Sequence, residues 1–153
     1  GTRWGHASVA RRMSEISPVV QIGVRSLSIE DNNFIEQGGV TTFFWGSHYM
    51  GNSHYSSQDL GDILQHLSSH VYVSLDLDVV DPSIMPDVGT PEPGGMTWED
   101  VTSVIRIVAE QRNIVGCDVS ELSPTNEMSS SSYIAAKLVY KLIAYSKLLS
   151  SPR

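Results

Sequence analysis

Four short runs of apolar, β-branched and aromatic residues punctuate the chain: VVQIGVR (19–25), TTFFW (41–45), VYVSLDL (71–77) and IVGCDV (114–119). Each is short for a helix, and VVQIGVR is apolar almost throughout, as in a strand buried on both faces. The segments around them read as helices. Residues 6–15 and 30–37 have helical character, the second closed by Gly38 and Gly39, and 58–67 follows Ser56 and Ser57 as candidate N-caps. TWED at 97–100 is close to a capping box, and Val101, Val104, Ile105 and Val108 then mark one apolar helical face. Residues 131–149 form a long helix, with Ile134, Leu138 and Leu142 spaced by four. Strand and helix alternating at this interval predict an α/β fold with a parallel sheet, whose ligands bind at the carboxyl ends of the strands.

The remaining bulk features narrow the class. A chain of 153 residues suits one domain or part of a larger one, and 41% hydrophobic against 18% charged residues supports a packed core. The net charge of -7 argues against nucleic acid or an anionic membrane as the main partner. No apolar run approaches the roughly 20 residues of a membrane-spanning helix. Cys117 is the single cysteine, so no internal disulfide forms, and its place inside IVGCDV predicts a small core residue. The opening GTRWGHASVARRM lacks the apolar stretch of a signal peptide and an initiator Met, so an intracellular, cytoplasmic, processed or truncated chain is expected. The three tryptophans are expected to pack, and the serines at 129–132 to open the last helix.

The chemistry concentrates after the third run, in SLDLDVVDPSIMPDVGTPEPGG (74–95). Alternation on a strand would project Asp76 and Asp78 to one face at its carboxyl end. Two ionised carboxylates so close repel unless a cation or donors intervene, and hard oxygens suit Mg²⁺ or Mn²⁺. The plain alternative is a pair that caps a helix or meets water. The loop that follows favours a site: Asp81-Pro82, Pro86, Gly89, Pro91, Pro93, Gly94 and Gly95 make it shaped rather than slack. Asp-x-Asp at a strand end also opens the motif of haloacid-dehalogenase-like phosphatases. That motif usually continues with Gly or Thr, whereas Val79-Val80-Asp81-Pro82 follows here, and no downstream Lys and acidic pair is well placed.

Taken whole, S-x-D-x-D-x-x-D-P-x-x-x-P-x-x-G-T-P-x-P-G-G resembles the C-terminal signature of the ureohydrolases, the arginase/agmatinase family. HASVARRM (6–13) with VVQIGVRS (19–26), and GCDVSELSP (116–124) before the final helix, resemble further segments of that family in the same order. The resemblance implies a three-layer α/β/α fold with a mostly parallel sheet, of which residues 1–153 are the C-terminal portion, lacking the N-terminal strands. It implies hydrolysis of a guanidino compound to an amine and urea with two Mn²⁺ ions. Within it, Asp76 and Asp78 would be metal ligands, Glu121 would hold the guanidinium, His6 would shuttle protons at the mouth, and Thr90 with the glycines of GTPEPGG would line the pocket.

The family's four further metal ligands lie upstream and are not supplied by residues 1–153, so weak or no activity is expected of the chain alone, and an exposed sheet edge with it. In the family it resembles, arginases hold the amino-acid head of arginine partly with an Asp shortly after the strand matching VQIGVR; Arg25-Ser26-Leu27-Ser28 carries no acid until Glu30, so the resemblance argues against arginine. The wording of TRWGHAS and VQIGVRS resembles agmatinases, which implies agmatine as substrate and putrescine, a polyamine precursor, as product; guanidinobutyrate remains open. The resemblance also implies a trimer or hexamer. The rival readings are a non-catalytic fragment or assembly subunit of the same fold, and a Mg²⁺-dependent phosphatase. His48 and His54 are expected in a surface loop, not as a metal pair.

Overall fold

The computed structural model describes residues 3–46, 55–124 and 129–149. A 3-10 turn (His6–Ser8) leads into α1 (Val9–Ser14), followed by β1 (Val20–Val24), α2 (Ile29–Glu36), β2 (Thr41–Phe44), α3 (Ser57–Gln65) and β3 (His70–Asp76). After a second 3-10 turn (Leu77–Val79) come α4 (Trp98–Gln111), β4 (Asn113–Ser120) and α5 (Ser130–Leu148). Three helices open on reciprocal capping boxes, Ser28 with Asp31, Ser56 with Asp59 and Thr97 with Asp100. Each satisfies N–H groups that the first helical turn leaves free. The TWED reading is thus borne out at Thr97.

The strands pair in parallel, as expected, but not as one sheet. Among the described residues β1 pairs only with β2, and β3 only with β4. The expected parallel pairing thus takes the form of two parallel ladders. They meet at their carboxyl ends. Gly23 in β1 has φ +92°, and a Cβ built on it would lie 2.4 Å from Val79 Cγ2, so this approach requires glycine. β1 is also less enclosed than expected: Gly23 is its one fully buried residue.

The core lies on one face of the β3–β4 ladder. Leu75 and Leu77 pack with Val101, Ile105, Ala135, Leu138 and Leu142 from α4 and α5, joined by Val80, Met85, Val88 and Met96 from the proline-glycine loop. Val108, Ala109 and Ile114 form a smaller cluster beside it. Burial of each large aliphatic side chain contributes about 1.5–3 kcal/mol. Among the described residues nothing covers the opposite face: Tyr72 is 58% and Val115 61% exposed. Cys117 shares the exposed positions of β4, which corrects its assignment to the core. Strand alternation decides this: the runs are apolar on both faces, and only one face is covered here. Trp45 is buried and Trp98 packs against the core, but Trp4 is 82% exposed, with the Arg3 and Arg12 guanidinium groups over its ring. His48 and His54 lie outside the described residues.

Tyr55 fastens the smaller ladder. Its hydroxyl donates to the Phe43 carbonyl at 2.8 Å and accepts from the Gly23 N–H at 3.0 Å, while its ring meets Trp45 edge-on. Burial pushes its pKa from 10.0 to about 12. Between those values the unfolded chain binds fewer protons than the native one, so this contribution to stability is complete below pH 10 and lost as pH rises toward 12. Tyr55→Phe is expected to cost about 1–3 kcal/mol at pH 7, with the difference from wild type shrinking in the alkaline window. Urea unfolding of both proteins at pH 7 and near pH 11 checks this.

Candidate active site

The site begins where β3 ends. Asp76, its last residue, turns its carboxylate back to accept the Asp78 N–H at 3.0 Å, which opens the 3-10 turn. Asp78 is therefore not on the strand, and the strand-face argument for the pair is corrected: a side-chain-capped turn brings the two carboxylates together. Leu77 between them is wholly buried. The Asp76 pKa is raised above the ordinary carboxylate value, first by burial and also by the charges of Asp78 and Glu121, against the Asp78 N–H and Arg25, which lower it.

Asp78 is held at one oxygen. Its Oδ2 accepts the Thr90 N–H at 3.1 Å and the Thr90 hydroxyl. Its Oδ1 is buried without a hydrogen-bond partner. A carboxylate oxygen buried without a partner is costly unless a cation or donor arrives.

The loop that delivers Thr90 is pinned at both ends. Asp81 accepts from the Ser83 N–H (2.9 Å), the Ser83 hydroxyl, and the Gly94 and Gly95 N–H groups (2.8 and 3.0 Å). These bonds, those of Ser83 foremost, pull its pKa down to about 2. Val80 and Met96 close the base through a parallel bridge. The far wall is Glu121, immediately after β4, whose backbone has φ 65°. It is the one non-glycine residue with positive φ among the described residues. Such a conformation strains a residue with a Cβ and is found where a site demands it. An antiparallel bridge between Val88 and Leu122, with Gly89 N–H donating to the Glu121 carbonyl at 3.1 Å, stitches this wall to the loop. A Cβ on Gly89 would lie 2.3 Å from Glu121 Oε2 and 4.0 Å from Asp78 Oδ2. Gly89 is thus the space in which the two carboxylates approach each other.

His6 completes the group from the N-terminal side, with Nδ1 3.6 Å from Glu121 Oε1; its side chain is 97% exposed and that of Glu121 31%. The structure accordingly gathers His6, Asp76, Asp78, Thr90 and Glu121. Thr90 touches Asp78 directly, a tighter placement than the pocket-lining one expected. Arg25, Asp81 and Gly89 also build the site and were not singled out for these roles. The rigid Asp81-Pro82 and glycine pattern is the signal for Asp81 and Gly89; Arg25 has none.

The donor chemistry fits a divalent cation in part. Asp76 and Asp78 offer hard oxygens, and Asp78 Oδ1 lacks a partner. No group of three or more His, Cys, Asp or Glu side chains is close enough to hold an ion among the described residues.

The model of the Arginase family matches residues 1–144. The chain belongs to the arginase family. An N(1)-aminopropylagmatine ureohydrolase of Thermus thermophilus is 37% identical over 144 residues, 94% of this chain and 47% of that protein. An agmatinase of Pyrococcus horikoshii is 35% identical over 147 residues, 95% of this chain and 50% of that one. The agmatine ureohydrolase of Thermoplasma volcanium has a similar structure, with a TM-score of 0.76 at 31% identity over 96% of this chain and 49% of that one. The fold is arginase-like α/β, and the chain spans about half the length of the curated relatives it matches.

Gly89→Ala isolates the wall of this arginase-family site. The added methyl meets the far end of a flexible side chain, so Glu121 is expected to swing aside at a stability cost of about 1 kcal/mol or less. A crystal structure of the variant with the Glu121 carboxylate displaced, alongside a near-native melting temperature, is the expected result.

Proposed function

We propose that this chain contributes the C-terminal side of the active site of a divalent-cation-dependent ureohydrolase that cleaves a guanidino compound, agmatine foremost, to an amine and urea. The observation that carries the reading is the partnerless, buried Asp78 Oδ1, whose carboxylate shares the Gly89 gap with a glutamate held at φ 65°. Asp76 and Asp78 would hold the cations, Mn²⁺ by family resemblance. When bound, a pair of such ions lowers the pKa of water so that hydroxide is available near neutral pH.

The protein's own groups supply the rest. Glu121 accepts two parallel N–H bonds from the planar guanidinium, which orients its carbon for attack. Thr90 and the Gly89 gap fix the distance between Glu121 and Asp78. His6, open to solvent beside Glu121, passes a proton to the departing amine nitrogen. Water is consumed, one C–N bond breaks, and urea and the amine leave. Agmatine, with putrescine as the second product, is favoured because relatives bear agmatinase and aminopropylagmatine ureohydrolase names, and because no acid follows Arg25 before Glu30 to grip an amino-acid head. Association of like subunits into a trimer or hexamer belongs to the same proposal.

The chain alone is expected to retain under about 1% of the full-length protein's urea release, since two carboxylates bind a cation weakly. In the full-length protein, Glu121→Gln is expected to lower kcat/KM for agmatine roughly 10- to 150-fold, the worth of a charged hydrogen bond. Colorimetric urea assay with added Mn²⁺ checks both. Robust urea release by residues 1–153 on their own would overturn the first expectation, and phosphate release from a phosphomonoester without urea release would favour the phosphatase.

A further inference from the structure

Arg25 follows β1 directly and reaches across to the other ladder. Its Nη2 donates to the Asp78 carbonyl at 2.7 Å and to the Glu92 carbonyl at 3.2 Å, and its Nη1 donates to the Val79 carbonyl at 3.0 Å. Ser26, the next residue, donates its hydroxyl to Glu92 Oε1 at 2.5 Å. Asp78 is also held from the opposite direction, because its Oδ2 accepts from Thr90. Thr90 and Glu92 are two residues apart on the same proline-bounded segment. The bonds therefore close a ring. It runs from the Asp78 carboxylate to Thr90, along Pro91 to the Glu92 carbonyl, through the guanidinium, and back to the Asp78 carbonyl. Main chain and side chain of one aspartate are fixed at the two ends of a single circuit.

We infer that Arg25 is a positioning residue: its guanidinium sets the Asp78 turn and the Thr90 segment in register, so that Asp78 Oδ1 is presented to the site while Oδ2 is restrained. This rests on the ureohydrolase reading for its consequence in catalysis, but not for the circuit itself. The geometry needs a planar fork. The three carbonyls lie on two chain segments around one cation, Asp78 and Val79 on the turn and Glu92 on the loop, and a guanidinium offers fixed N–H directions to each. A lysine ammonium keeps the charge but is a single point and cannot reproduce that spread. The Arg25 Nε is buried without a partner, so the two terminal nitrogens make the link. Gly23, two residues earlier, permits the close approach of β1 that brings the fork within reach.

The test uses the full-length protein as wild type, Arg25→Lys and Ser26→Ala, with three readouts. Amide hydrogen exchange over 89–92, in the absence of metal and substrate, is expected to quicken in Arg25→Lys while β4 exchange is unchanged. Mn²⁺ affinity, read from the spin-resonance signal of free Mn²⁺, is expected to weaken about tenfold, the scale for residues that orient a ligand. At saturating Mn²⁺, kcat for agmatine is expected to fall with KM within about twofold of wild type, because Glu121 is untouched. Ser26→Ala, at an exposed position, is expected to shift exchange and affinity in the same direction by less, and it carries the test should Arg25→Lys not fold. Wild-type exchange and Mn²⁺ affinity in the variants would overturn the inference, as would a drop in melting temperature with no change in either. A wild-type protein that neither binds Mn²⁺ nor releases urea would instead defeat the ureohydrolase reading, and the exchange data would still decide whether Arg25 couples the two segments.

Discussion

Everything at the site depends on where Leu77 goes. Its side chain is fully enclosed by the core that α4 and α5 lay on the β3–β4 ladder, with Leu75, Leu138 and Leu142 in the same cluster. Burial of that one residue fixes the turn that leaves β3. The flanking Asp76 and Asp78 are committed by it, since neither carboxylate could follow Leu77 into an apolar interior without a cost of several kcal/mol. The hydrophobic effect, which has no directional preference of its own, thereby aims two charged groups.

The loop extends the same logic. Met85, Val88 and Met96 are core residues, so a segment built from prolines and glycines is anchored by apolar side chains as firmly as a helix would be. Between those anchors Asp81 gathers the N–H groups that an irregular backbone would otherwise leave unpaired. Rigidity here comes from two sources acting at different points. Burial fixes where the loop passes, and hydrogen bonding fixes its shape between those points.

Much of this was legible in the sequence. The helix starts at Ser56 and Thr97 and the strand positions follow from capping chemistry and periodicity, and the family resemblance of a long motif pointed to His6, Asp76, Asp78, Thr90 and Glu121, which lie near one another in the structure. What escaped has physical reasons. A run apolar on both faces does not say which face is covered, so Cys117 looked like core and is exposed. Strand alternation cannot foresee a carboxylate that bends back to end the strand, so the Asp78 turn was missed. Side-chain to main-chain contacts across 53 or 54 residues, such as those of Arg25, leave no periodic trace. Nor does alternation reveal that the ladders do not pair with each other among the described residues, because alternation carries no information on which strands become neighbours.

Glu121 carries one more implication. By backbone preference alone, a position at φ 65° belongs to glycine or asparagine, and a side chain with a Cβ there sits against the local grain by about 1 kcal/mol or more. Any pressure toward thermostability alone would erode this glutamate first, because replacing it relaxes the chain and frees the crowded space at Gly89. The residue thus marks a place where robustness and chemistry pull in opposite directions. A laboratory lineage evolved for heat tolerance without a functional screen would reveal that conflict as a loss of the acid at this position.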